Sequence, residues 1–261
     1  MVSKLISAIT FSKKRENLLL LLRDGPRTLE EIRNSLNVTS SGMIPQIRKL
    51  EEPRLVRQEG KKYLLTDTGT VIAEVFSSFI RTAEIIENYS DFWELHDIKA
   101  IPLHLLKRIY ELGDCRLIET KISEIYEPHK EWLEVISKSK KMMGISPVFH
   151  HSYPPLFLQL AQSGVEVSLI LTRDVFNKIK NEHMGTLQKF LGIRTVHLYV
   201  SDENIRLASG VTDGFCSISL FFRDGGYDSL RDLVSFDQSA VKWGEELFRH
   251  FLLNSKEIKS L

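Results

Sequence analysis

Eight histidines, two cysteines and 35 basic side chains are the raw material for chemistry in this 261-residue chain. Attack on a phosphodiester by imidazole needs a histidine, one spacer and a lysine, then an aspartate downstream. The ring attacks phosphorus while the ammonium holds its oxygens. No His-x-Lys occurs: His96 and Lys99 are separated by two residues, as are His104 and Lys107, and His129 and Lys130 are adjacent. Without a positioned nucleophile and partner, no catalytic site is expected. Metal ligation fares no better by spacing. His150 and His151 are neighbours whose side chains diverge, no pattern places His129 or His183, and Cys115 and Cys216 form no Cys-x-x-Cys. Gly210, Gly214, Gly225 and Gly226 are turn glycines that fit neither a Walker A loop nor a dinucleotide fingerprint. The expectation is therefore no metal and no cofactor.

The chemistry that spacing does support is recognition of double-stranded DNA, and it is concentrated between Thr28 and Gly69. Leu29, Ile32 and Leu36 follow helical spacing behind Thr28, which suits a helix cap. Asn37 and Val38 make a tight turn, and Thr39 to Ser41 supply hydroxyls able to cap a second helix. That helix would bury Met43, Ile47 and Leu50, with Ile44 flanking. Its opposite face carries Ser41, Gly42, Pro45, Arg48 and Lys49, with Gln46 at the edge. Pro45 is tolerable if the helix begins near Ser41, because proline is cheap only in a first turn. Two short strands, Leu55 to Gln58 and Tyr63 to Leu65, enclose the turn Glu59-Gly60-Lys61. Helix, turn, helix and basic hairpin in this order describe a winged helix-turn-helix. The candidate DNA-binding residues are Thr28, Ser40, Ser41, Gly42, Pro45, Gln46, Arg48, Lys49, Lys61 and Lys62. Lys13, Lys14 and Arg15 read as solvated charges near a helix start.

Other elements must hold that reader in place. Residues 11–24 form a leucine-rich helix whose Leu18, Leu19 and Leu22 face the other two. Thr66 to Tyr89 reads as one long helix, with Ile72, Phe76, Phe79, Ala83 and Ile86 stepping by 4, 3, 4 and 3 residues as a dimerisation seam. Val71, Val75 and Ile80 widen its apolar face, so packing on the chain's own body is the alternative. Phe92 and Trp93 anchor a junction, and Leu105 to Leu112 reads as a short helix. Strands and helices then alternate. Leu117–Ile122, Lys141–Ser146, Val165–Thr172 and Arg194–Val200 are strands, and Ile205–Gly210 with Phe215–Phe222 form an antiparallel pair. Helices are expected at 128–139, 154–162, 175–180, 184–191 and 238–253, the last with Trp243, Leu247, Phe248 and Phe251 inward.

Composition agrees with a globular chain of two domains: 43% hydrophobic and 26% charged residues, and no apolar run near the ~18 residues that span a bilayer. The N-terminus lacks a secretory pattern, and two cysteines suit a reducing cytoplasm. Net charge is only +1, yet residues 1–63 hold 13 basic against 7 acidic side chains, and the remainder 22 against 27. A head at +6 on a body at −5 is what neutralising phosphate at one end requires.

Beyond the reader, the wing "YLLTDTG", the junction "FWELHDIKAIPLHLLKRIYELGDC", "MGISPVFH", "GVEVSLILT" and "SAVKWGEELFRHF" together resemble a family of methanogenic archaeal transcriptional regulators. Those place a winged helix before a domain first recognised in a methanogen regulator of filament formation. The resemblance implies a sensor or dimerisation domain similar, in related archaeal regulators, to the phospholipase D fold. One departure is Pro53-Arg54, where winged helices often place glycine. The expected fold is an α+β winged helix-turn-helix domain (1–70), a linker helix and junction (71–100), and an α/β regulatory domain (101–261). Ligands of α/β sheets gather beyond the carboxyl ends of strands, which nominates Ser146, His150, Thr172 and Arg173 for a small-molecule effector. Arg173 could instead pair within the domain. Two functions follow: a homodimeric DNA-binding regulator that senses an effector, or a DNA-tethered interaction scaffold without one.

Overall fold

The computed structural model describes residues 4–120 and 130–261. They fall into two compact units, Met1–Arg81 and Thr82–Leu261, divided inside the long helix.

The first unit opens with α1 (Lys4–Thr10) and α2 (Lys13–Arg23), whose Leu18, Leu19 and Leu22 are buried. β1 (Arg27–Thr28) leads into α3 (Leu29–Leu36), whose start is set by a capping box. The Thr28 hydroxyl accepts from the Glu31 N–H at 3.2 Å, and the Glu31 carboxylate accepts from the Thr28 N–H at 2.6 Å. Both bonds satisfy donors that a helix start otherwise leaves orphaned. The helix stops at Asn37, which is left-handed at φ 50°. Thr39 then caps α4 (Ser40–Glu51) through the Gly42 N–H at 3.2 Å. Pro45 therefore sits in the second turn rather than the first, leaving the Ser41 carbonyl without its usual donor.

At the end of α4 the Leu55 N–H reaches back to the Leu50 carbonyl at 2.9 Å, and the Arg54 N–H to Glu51 at 2.8 Å. This is a Schellman turn, and its left-handed residue is Arg54 at φ 58°. The position where glycine is customary thus keeps the customary backbone with an arginine in it. β2 (Val56–Glu59) and β3 (Lys62–Leu65) follow, joined by the two-residue turn Gly60-Lys61 with Gly60 at φ 60°. The three-stranded sheet runs β1-β3-β2. Gly69, in the first turn of α5 (Asp67–Asn88), permits the closest approach in this unit. A Cβ there would stand 1.9 Å from the Leu55 carbonyl oxygen.

α5 does not expose the seam expected of it. Ala73 and Phe76 are buried in the core of the first unit, with Ile72 and Ile80 packed against it. Val71, Val75 and Phe79 are 63%, 66% and 63% exposed, and Ile86 46%. Ile72 and Phe76 are thus core residues, while the outward stripe runs Val71, Val75, Phe79, Ile86. The helical period holds, but the wing-side core takes one edge of the stripe.

The second unit begins with α6 (Ser90–Leu95) and α7 (Leu103–Leu106). The helix expected over Leu105–Leu112 is broken: a 3-10 turn covers Ile109–Leu112 and Arg108 lies between, at φ −113°. The Arg108 guanidinium spans Glu111 at 2.7 Å and Glu246 at 2.8 Å, a tertiary demand that local pattern does not reveal. β4 (Arg116–Glu119), α8 (Lys130–Lys138), β5 (Lys141–Ser146), α9 (Tyr153–Gln162), β6 (Glu166–Thr172), α10 (Arg173–Glu182), α11 (Met184–Leu191) and β7 (Val196–Ser201) follow. Then come β8 (Leu207–Thr212), β9 (Cys216–Leu220), β10 (Arg231–Ser235), α12 (Gln238–Leu252) and β11 (Ser255–Glu257). The expected strand and helix at 117–122 and 128–139 are described only at 116–119 and from 130; the rest lies outside the described residues.

One mixed sheet runs β11-β7-β6-β5-β8-β9-β10-β4, with β5, β6 and β7 parallel and the other pairs antiparallel. Alternation sends Met143, Ile145, Ile170 and Ile218 to the face covered by α12, and Met142, Val167, Leu169 and Leu171 to that of α9, α10 and α11. Trp243 is wholly buried and donates its indole N–H to the Leu105 carbonyl at 3.0 Å. β10, a strand that the sequence pattern does not announce, carries charge in its first half at Arg231-Asp232.

His96 is 0% exposed and Asp228 2%. His96 Nε2 lies 3.0 Å from Asp228 Oδ2, its Nδ1 lies 2.6 Å from the Phe92 carbonyl, and Phe222 stacks on the ring. Arg231 also donates to Asp228 Oδ2, at 2.6 Å. Among the described residues no helix is long and apolar enough to cross a membrane.

Candidate functional site

α4 presents Ser41, Pro45, Arg48 and Lys49 outward, while Met43, Ile47 and Leu50 anchor it. Ser40 and Gly42 are half-buried at its start. The wing turn carries Lys61 and Lys62, both exposed. Among the described residues none of Arg48, Lys49, Lys61 and Lys62 is in an ion pair, in contrast to Arg57, which holds Glu59 at 2.9 Å. Four exposed cations outside ion pairs thus lie on α4 and on the hairpin of β2 and β3, although Lys62 also acts electrostatically on Glu31.

Two of the nominated residues have other tasks. Thr28 uses its hydroxyl in the capping box of α3. Gln46 Oε1 accepts from Arg15 Nη1 at 2.8 Å and from Ser12 Oγ at 3.4 Å. Arg15 is not a solvated charge. It is 6% exposed and also donates to the carbonyls of Ala8 and Ser7, fastening α1 and α2 to α4. Lys14 is exposed, as expected, and its Nζ lies 3.2 Å from where a Cβ on Gly42 would stand in the first turn of α4.

In the second unit a cavity of about 500 Å³ opens beside the carboxyl end of β5. Ser146 and His150 line it, whereas Thr172 and Arg173 do not. Arg173 pairs with Asp202 through two bonds, 2.9 and 3.2 Å, the intradomain alternative foreseen for it. The cavity's floor is made by Gly144, Ala208 and Gly210, whose small side chains leave the space, and by the hydroxyls of Ser217 and Ser219. Tyr153, Tyr227 and Asp232 close it, with Ser219 hydrogen-bonded to Asp232. Burial pushes the Tyr153 phenol up to about 12 and raises Tyr227 as well, so both are neutral donors at physiological pH. His150 bonds Ser152 Oγ through Nδ1 at 2.7 Å; burial, then its neighbour His151, hold its ring below the usual range. Among the described residues no Lys or Arg lines the cavity, and Asp232 is its carboxylate. An apolar recess of about 40 Å³ adjoins it, with Phe149, Phe157 and Phe190 among its walls. Tyr153, Tyr227 and Asp232 have no shared signal in the sequence because they come from three separate elements. The readable hint is the Ser217–Ser219 alternation in a strand otherwise apolar.

In class, then, this is a winged helix-turn-helix unit followed by an α/β unit built on a mixed sheet. Residues 3–84 match the family model described as the N-terminal domain of methanogenesis regulatory protein FilR1, and residues 125–254 match that of its middle domain. A curated relative, methanogenesis regulatory protein FilR1 of Methanothrix harundinacea (strain 6Ac), is 25% identical over 261 residues, covering 98% of this chain. The chain spans 58% of that relative's length. Among solved structures, TrmBL2, an archaeal chromatin protein, aligns over 98% of both chains at 14% identity and a TM-score of 0.44. NucT from Helicobacter pylori aligns over 56% of this chain and 99% of its own, at 12% identity and a TM-score of 0.43. Likenesses that remote do not bear on function.

Proposed function

We propose that this chain is a DNA-binding transcriptional regulator that acts as a homodimer and responds to a small molecule held in its second unit. It is not an enzyme on this reading, and its second unit is a phospholipase D-like layer domain lacking His-x-Lys. The observation that carries the reading is the outward face of α4, where Arg48 and Lys49 are exposed and, among the described residues, in no ion pair, as are Lys61 and Lys62 on the wing. The match to a methanogenesis regulatory protein supports it. Arg48 is the base-reading candidate, because arginine's fork matches guanine edges, and Lys61 and Lys62 are the phosphate contacts. Fluorescence anisotropy of the full chain on duplex DNA tests this. Affinity should fall steeply with added salt, and binding that ignores salt would overturn it.

Helix-turn-helix proteins read two half-sites about 34–36 Å apart, which calls for two copies. The exposed stripe Val71, Val75, Phe79 and Ile86 is the surface for that pairing. Phe79→Glu should give folded monomers by light scattering, with DNA affinity sharply reduced. A variant that remains dimeric removes α5 from the interface.

The cavity sets phenol and serine hydroxyls beside apolar walls, which favours an occupant that joins an apolar body to hydrogen-bonding groups. Its aromatic walls suit a ring. A neutral aromatic alcohol such as 2-(4-hydroxyphenyl)ethanol, or the amine tyramine, should raise the thermal unfolding midpoint. Saturation at a hundred times Kd stabilises by about 2.7 kcal/mol. If neither amines nor neutral aromatics shift the midpoint, the scaffold without effector is the better description.

A further inference from the structure

Three metal-ligand side chains from two separate stretches of the chain converge beside this cavity's lining residue His151. His151 lies in the turn between β5 and α9, Glu182 ends α10, and His183 is the junction residue before α11. Their donor atoms all lie within 4.8 Å of one another. Among the described residues none of the three is in an ion pair or a side-chain hydrogen bond. The neighbours that could have neutralised or occupied them are engaged elsewhere. Lys178, one turn before Glu182, lies over the Phe149 ring at 4.6 Å, and His150 is bonded to Ser152. Phe149 packs against His151 at 4.8 Å and His183 at 5.8 Å, so one apolar ring supports both imidazoles.

We propose that His151, Glu182 and His183 bind one divalent transition-metal ion, with zinc the best fit. Two imidazole nitrogens and one carboxylate oxygen are a borderline donor set that suits zinc and its neighbours, whereas magnesium and calcium take oxygen ligands. Bonds of about 2.0–2.2 Å place tetrahedral ligands roughly 3.4 Å apart. The three donors must therefore close by something over an ångström. His151 and Glu182 are exposed, so side-chain rotation supplies that movement without disturbing the core. A fourth position stays open to water or a ligand atom.

The placement has a consequence for the cavity. Val148, Phe149, His150, His151 and Ser152 all line it, so a metal on His151 ties this lining segment to the corner between α10 and α11. Metal occupancy and cavity occupancy then alter each other's affinity by the same factor. That coupling rests on the cavity taking a ligand; metal binding itself does not.

The test is calorimetric titration of the untagged, chelator-treated full chain with zinc chloride, and with magnesium chloride in parallel. One zinc per chain and no magnesium are expected, and cobalt chloride should give the visible absorption of tetrahedral coordination. His151→Ala, Glu182→Gln and His183→Ala should each weaken zinc at least tenfold while leaving the circular dichroism unchanged. The paired change His104→Ala with His250→Ala should leave it intact, because those rings, 5.6 Å apart, gather no third ligand among the described residues. Absent zinc binding, equal binding of magnesium, or zinc that persists when His151 and His183 are both alanine would overturn the proposal. So would loss of zinc in the His104–His250 variant.

Discussion

Asp228→Ala is expected to lower the stability of the second unit by about 3–5 kcal/mol, because removing one partner of a buried hydrogen-bonded pair strands the other without its counterpart. Asp228 is 2% exposed and serves two partners at once, the His96 imidazole at 3.0 Å and the Arg231 guanidinium at 2.6 Å. Alanine would leave a wholly buried imidazole with only the Phe92 carbonyl, and Arg231 with nothing at its Nε but the face of Phe222. For a unit of this size the thermal midpoint should drop by roughly 10 °C. Denaturant unfolding followed by Trp93 and Trp243 fluorescence reads the change. Arg173→Ala is the contrast: its bond to Asp202 is open to solvent, and such pairs contribute little to stability. Similar losses from both variants would mean that His96–Asp228 contributes no more than a surface pair.

The second large effect concerns DNA. Replacing Arg48, Lys49, Lys61 and Lys62 together by alanine should weaken binding by about a hundredfold or more at low salt. The slope of log affinity against log salt should flatten by about 0.9 for each phosphate that is no longer neutralised. Split variants separate the roles. Lys61→Ala with Lys62→Ala should weaken all duplexes alike, while Arg48→Ala should also blur discrimination, at about 1–3 kcal/mol per base pair read. Gln46→Ala should act differently from Arg48→Ala: it releases Arg15 from its Gln46 bond and so loosens the seat of α4. Its first symptom should be lower stability of the first unit. If the wing pair alters preference and Arg48 does not, the wing is the reader.

Legibility in the sequence tracks how local each cause is. Thr28, Asn37 and Thr39 act within four residues of themselves, so α3, the turn and α4 are placed without knowledge of any tertiary contact. The C-terminal strands Lys141–Ser146 and Glu166–Thr172 are readable for the same reason, as apolar runs between turns. Arg15 is misjudged from sequence because its partners lie in α1 and α4, up to 31 residues away. The α5 seam is half right. Helical period identifies an apolar stripe, but only the packed core decides that Phe76 is inside and Phe79 outside. The cavity and the His151–Glu182–His183 cluster have no local signature at all. They exist because the sheet order sets β5 beside β8 and brings the turn after β5 to the end of α10.

The two outer strands of the eight-stranded sheet bear on strand pairing between molecules. A long, flat, apolar edge would offer its unpaired amides to any neighbouring molecule, the first step toward fibrous or amorphous precipitation. Among the described residues neither edge is of that kind. β11 has three residues and exposes Lys256 and Glu257, while β4 has four and exposes Arg116 and Glu119. Short length and charge of both signs make strand-to-strand accretion costly at either end. On the dimer reading proposed above, self-association would instead use the outward stripe of α5, where pairing closes on itself after two copies rather than growing without limit.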